Sequence, residues 1–203
     1  MALILILDTS TEKGVVALAK GKELLFSKYL PLGMQSSQFL PSLVAEAFSE
    51  VGLSLSELDA LAVGIGPGSF TGIRVGVAFA KGLKVALNLP LIGFCSLVGF
   101  VPEEEGPFFS VLDARMERAY YMRQERKKGG IYSVSPLTLV STQLLKEEIK
   151  GELAVGPTLH RLTLPNSQEV WPSATCLAAH VEEKFLKKEF NSLQIHYPSQ
   201  YAG

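Results

Sequence analysis

The segment with the most distinctive chemistry is Gly64-Ile-Gly-Pro-Gly-Ser-Phe-Thr-Gly-Ile-Arg-Val-Gly76. It stands between a short apolar run and a helical period, where free backbone amides and the helix dipole can hold an anion. No Lys-Ser or Lys-Thr follows at Walker spacing, and Ser69 fills the position where a dinucleotide fingerprint needs Gly or Ala. On residues alone it reads equally as a phosphate cradle or as a tight turn opening a helix. Asp8 and Asp113 are the carboxylates with suggestive placement. Each closes an apolar run, and each stands 23 positions before a proline, Pro31 or Pro136. Such a pair can face a common cleft as Mg²⁺ or phosphate-site residues, with Thr9 and Ser10 beside the first, or can simply cap turns.

Other chemistries fare poorly. His160, His180 and His196 stand apart, and His180-x-x-Glu183 is a lone pair, so no metal site is expected. No Gly-x-Ser-x-Gly elbow exists, and Ser69 has no base beside it in sequence. Cys95 and Cys176 lack C-x-x-C spacing, which excludes a disulfide framework and a thiolate zinc site. A basic cluster (Arg115, Arg118, Arg123, Arg126, Lys127, Lys128) interleaves with Tyr120 and Tyr121. That pattern suits RNA, or else the solvated face of a strand, with Glu117 and Glu125 among the bases.

The elements that must position these groups follow from periodicity. Leu3–Leu7 reads as a buried central strand, and the runs 14–20 and 23–30 as a hairpin about Gly21-Lys22. Apolar positions 39, 40, 43, 44, 47, 48 and 51 repeat as an amphipathic helix over 36–51, with Pro41 near its first turn. A strand at 61–65, a helix at 70–87 and a strand at 91–93 follow. Beyond the charged linker 102–107 the order starts again: a strand 108–112, two strand-like runs, a helix 142–150, Leu153-Ala-Val-Gly156, and a last helix 174–188. Leu153–Gly156 repeats Leu61-Ala-Val-Gly64 letter for letter. Two copies of one unit give an α/β chain with mixed sheets, divided as 1–102 and 107–203.

The helix 70–87 carries Gly72, Gly76 and Gly82, each costing about 1 kcal/mol against Ala in a helix interior. Gly72, Gly76 and Ala80 form a smooth stripe, and Arg74, Lys81 and Lys84 lie on the other side. The stripe suits close packing on the chain's own sheet or, functionally, on a partner's helix. The expected partner face comprises Phe39, Leu43, Ala47, Gly72, Arg74, Val75, Gly76 and Phe79. Gly76→Arg is expected to abolish partner binding and spare the fold.

The chain has 203 residues, 47% hydrophobic and 19% charged, with 19 basic and 20 acidic side chains and a net charge of -1. That composition excludes global disorder and bulk-charge attraction to nucleic acid. No apolar run reaches a membrane span or a signal core, so a cytoplasmic protein without membrane association is expected.

Taken in order, Ile-Leu-Asp8-Thr-Ser-Thr11, Gly66–Gly76, Leu89-Pro-Leu-Ile-Gly93, Leu112-Asp-Ala-Arg115 with Tyr120, and Pro198-x-x-Tyr201 resemble the bacterial TsaB (YeaZ) family. The resemblance implies two tandem ribonuclease-H-like domains of the actin/Hsp70/sugar-kinase superfamily. It implies a non-catalytic scaffold for the related transferase TsaD. With TsaD and the ATPase TsaE, such proteins install threonylcarbamoyl on N6 of adenosine 37 of tRNA. Docking would use helices 36–51 and 70–87, which pair with a second copy when TsaD is absent. ATP with Mg²⁺ and threonylcarbamoyl adenylate would serve the complex, with none bound stably by this chain. The TsaD metal pair His-x-x-x-His is replaced here by Ser96 and Phe100, poor metal ligands, which argues against metalloprotease activity. Thr9-Ser10 and Ala114-Arg115 replace the glycines of superfamily phosphate loops. The rival reading is a stand-alone small-molecule kinase or ATPase using Asp8 and Asp113.

Overall fold

The computed structural model describes residues 1–31, 36–128, 130–190 and 193. His196, Pro198 and Tyr201 lie outside them. Strand Leu3–Asp8 (β1) is buried at every residue because both its faces are apolar. It pairs antiparallel with Val15–Lys20 (β2), which turns at Gly21 into Glu23–Tyr29 (β3). On its other side β1 runs parallel to Ala60–Gly64 (β4), which runs parallel to Leu91–Phe94 (β5). The sheet order is β3-β2-β1-β4-β5.

Helix Leu40–Val51 (α1) follows a 3-10 turn at Ser36–Phe39. Pro41 is tolerated because the first turn needs no amide there. The helix stops at Gly52, whose φ of 73° is left-handed. Phe70–Leu87 (α2) has the expected bounds; Ser69 caps it by accepting from the Gly72 amide, and Asn88 ends it in a left-handed conformation.

The second sheet repeats the first. Gly106–Arg115 (β6) pairs antiparallel with Arg118–Lys127 (β7), and β7 with Gly130–Ser133 (β8). Thr138–Ser141 (β9) pairs with β7 near its start. After Thr142–Ile149 (α3), Leu153–Gly156 (β10) lies parallel to β6, and Ser167–Glu169 (β11) parallel to β10. The order β11-β10-β6-β7-β8 matches that of the first sheet strand for strand. Strands β9 and β11 are additions to the expected elements. The last helix, Ala174–Leu186 (α4), ends two residues short of expectation.

Three apolar clusters fill this frame. Leu3, Leu5 and Leu7 face α1 and α2; Phe109, Val111 and Ala119 face α3. Ile4 and Ile6 face a third cluster, shared with Phe108, Leu112, Leu177, Ala178 and Val181. On that face β2 and β4 present Ala17, Ala19, Ala60 and Ala62. These small residues admit α4 from the other half of the chain onto the first sheet.

Candidate strand-end cluster and partner face

The end of β1 builds a closed polar cluster. Asp8 is 1% exposed, and its Oδ1 accepts from the Ser10 amide at 2.8 Å. Gly64 leaves the room the carboxyl occupies, since a Cβ there would lie 2.6 Å from the Asp8 carboxyl carbon. Asp8 Oδ2, Ser10 Oγ and Ser96 Oγ are buried without a hydrogen-bond partner. Burial pushes the Asp8 carboxyl above its usual range; hydrogen bonding to Ser10, and the nearby Ser96 hydroxyl, pull it partly back. The Cys95 thiol is pushed up to about 11, chiefly by burial, with the Asp8 charge adding to it.

Three amides at the start of α2 are engaged within the chain. Ser69 N–H donates to Ser10 C=O at 2.7 Å, Gly72 N–H to Ser69 Oγ at 3.2 Å, and Ile73 N–H to Ser69 C=O at 2.9 Å. A Cβ on Gly68 would collide with Ser10. These three amides therefore serve the chain's own loop and helix cap. Asp113 repeats the Asp8 turn, accepting from the Arg115 amide at 2.8 Å, so both aspartates cap turns.

The two do not face one cleft, which corrects the expectation. Asp8 pairs across the sheet with Val15, on the face of the shared cluster. Asp113 pairs with Ala119, on the opposite, α3 face of its own sheet. Cross-strand partners share a face, so the strand repeat holds while the facing does not. Ser96 and Phe100 are fully buried. Among the described residues no cluster of His, Cys, Asp or Glu suits a metal ion.

The glycine stripe of α2 also needs correction. Gly72 and Gly76 turn inward, where a Cβ would collide with Thr9, and Ala80 and Ala47 are fully buried. Thr9 Oγ1 donates to the Gly72 carbonyl at 2.7 Å, tying the β1–β2 loop to the helix. The close approach these glycines permit is to the chain itself. An arginine at Gly76 strikes the core rather than a partner, so such a variant would not spare the fold.

The outward face is different. Val75 is 37% and Val85 82% exposed, with Ala78, Gly82 and Ala86 exposed between and beside them. Phe39 and Phe70 are 39% and 50% exposed, Leu43 and Phe79 half-buried. Arg74 stacks on Phe70, its guanidinium carbon 3.7 Å from the ring centroid. Gly82 has open space around its missing Cβ and ordinary helical backbone. Nothing among the described residues requires glycine there.

The basic cluster of the second sheet divides between two faces and is partly neutralised. Arg123 binds Glu152 through two nitrogens, Lys127 pairs with Glu125, and Arg126 donates to the Pro102 carbonyl. Arg115 and Arg118 are exposed at one end of the β6–β7 pair and Lys128 at the other.

Sequence comparison places these features among known proteins. The tRNA threonylcarbamoyladenosine biosynthesis protein TsaB of Escherichia coli is 32% identical over 174 residues, 83% of this chain and 73% of that one. The chain belongs to the TsaB family. A second TsaB, from Haemophilus influenzae, is 37% identical over 130 residues, 62% of this chain and 55% of its relative. The family model described as TsaD, tRNA N6-adenosine threonylcarbamoyltransferase, matches residues 33–138. Among solved structures, YeaZ from Pseudomonas aeruginosa superposes with a TM-score of 0.82 at 24% identity, over 93% of this chain and 94% of that one. A second Pseudomonas aeruginosa protein, described as similar to peptidase YEAZ, reaches 0.84 at 23% identity over 98% of both chains. The fold of TsaB and YeaZ is thus this chain's fold.

Proposed function

We propose that this chain is the non-catalytic scaffold of the assembly that transfers threonylcarbamoyl to N6 of adenosine 37 in tRNA. It docks on TsaD through the outward faces of α1 and α2, and works in the cytoplasm together with TsaE. Alone, the same face pairs two copies of the chain. Residues 1–102 and 107–203 act as two domains. ATP, Mg²⁺ and threonylcarbamoyl adenylate are handled by the assembly, and tRNA is its substrate. Among the described residues no helix is long and apolar enough to cross a membrane.

The observation that carries this reading is the outer face of α2. It combines an exposed apolar seam with a glycine that the chain's own packing does not need. Exposed apolar area rimmed by polar groups marks a protein contact, and an open glycine lets a facing backbone come close. The stand-alone kinase reading is not favoured, because its two aspartates face different ways and three of the amides at the start of α2 are engaged within the chain. A Val85→Asp variant tests the docking face. Its melting should match the parent, while its affinity for TsaD falls about tenfold or more, as for a charge set into the core of an interface. Parental affinity in the folded variant would remove α2 from the contact.

A further inference from the structure

Resting on that docking reading, we propose that one cationic edge of α2 chooses the partner. It favours a facing helix that carries carboxylates along the adjoining edge and disfavours a second copy of this chain. The 18 residues of α2 include Arg74, Lys81 and Lys84 and no acid. At about 100° per residue, Val75, Ala78, Gly82, Val85 and Ala86 fall within an arc of about 100°. Arg74 and Lys81 border this seam on one side, with Lys84 beyond them; Phe79 and Leu83 border the other, uncharged. Arg74 and Lys81 thus place charge on one edge of an apolar strip, with Lys84 about 60° further round, and the opposite edge carries none.

Lys81 and Lys84 are exposed and form no ion pair among the described residues. On the neighbouring helix, Glu46 and Glu50 share Lys28, at 2.7 and 2.5 Å, so that trio keeps one net negative charge against the three cations of α2. A second copy thus offers this edge either another cationic edge or a single uncompensated carboxylate. In a two-fold contact that lays α2 antiparallel on its copy, both lysine edges fall on the same side and repel. A partner helix bearing Asp or Glu there meets complementary charge.

The test compares TsaD from the same source with the chain itself, using the parent, Lys81→Glu/Lys84→Glu and Val85→Asp. Affinities are measured at ~0.1 M and ~1 M salt, across which the screening length falls from about 10 to about 3 Å. The parent should lose about tenfold in affinity for TsaD at high salt, while its weaker self-association strengthens. The double charge reversal should bind TsaD about tenfold more weakly at low salt and lose the parent's salt dependence. Salt-insensitive binding of TsaD, parental affinity in the charge reversal, or self-association that weakens as salt rises would each overturn the proposal. If Val85→Asp keeps parental affinity, the docking face itself is wrong. If Val85→Asp loses TsaD while the charge reversal retains it, the face stands and only the charge selection fails.

Discussion

A buried carboxyl with one satisfied oxygen is the residue on which the strand-end cluster turns. Asp8 accepts from Ser10 N–H through Oδ1, while Oδ2 and the Ser10 and Ser96 hydroxyls are buried without partners. Its pKa is raised by burial, so the folded chain holds its proton more tightly than the unfolded chain does. The resulting stability is complete below the unfolded pKa and is lost as pH rises through the folded one. Melting temperature should therefore fall across that window as pH is raised. In Asp8→Asn this component of the profile should vanish, and at neutral pH the variant should be at least as stable as the parent. The new amide finds two waiting acceptors in the serine hydroxyls. A parental pH profile in Asp8→Asn would show that Asp8 is charged in the fold. Sequence alone marked Asp8 and its strand end. It did not reveal that Asp113 faces away from the shared cluster, because facing depends on cross-strand register, which pairs Asp113 with Ala119.

Among the elements, α2 was the most legible in extent and the least in orientation. Its bounds follow from the Ser69 cap, the Asn88 stop and the apolar period between. Its three glycines, however, carry two different meanings that composition cannot separate. Gly72 and Gly76 face Thr9, whereas Gly82 faces open space. The distinguishing signal lay in the helical wheel. Gly72 and Gly76 share the arc of buried Ile73 and Ala80; Gly82 shares that of Val75, Ala78 and Val85. Gly82→Ala should accordingly stabilise the free chain by about 1 kcal/mol through helix propensity. The same methyl should weaken TsaD binding by holding the facing backbone away. Thermal melts and affinity measured on one preparation decide the matter, and a variant gaining stability with unchanged affinity would make Gly82 incidental to docking.

Across the whole molecule the duplicated order was readable, because Leu61–Gly64 and Leu153–Gly156 share one tetrapeptide and each half keeps the same strand and helix sequence. The crossing of α4 onto the first sheet was not. Its signal was the alternation of large and small residues in β2 and β4, with Ala17, Ala19, Ala60 and Ala62 all turned to one face. That pattern reports a close neighbour without saying which segment supplies it. Since Leu177 is fully buried in the cluster shared by both sheets, Leu177→Ala should cost about 2–5 kcal/mol and lower the melting of both halves together. Two separated transitions, with only the later half shifted, would contradict a shared core. If this folded chain acts on tRNA only through its partners, as proposed, an omit-one reconstitution will show it. Unmodified tRNA, isotopically labelled threonine, bicarbonate and ATP are incubated with the enzyme that forms threonylcarbamoyl adenylate, TsaD and TsaE, with and without this chain, and the modified nucleoside is measured by mass spectrometry. Product is expected only when the chain is present, with none from the chain alone. Equal product in its absence, or product from the chain without TsaD, would contradict it.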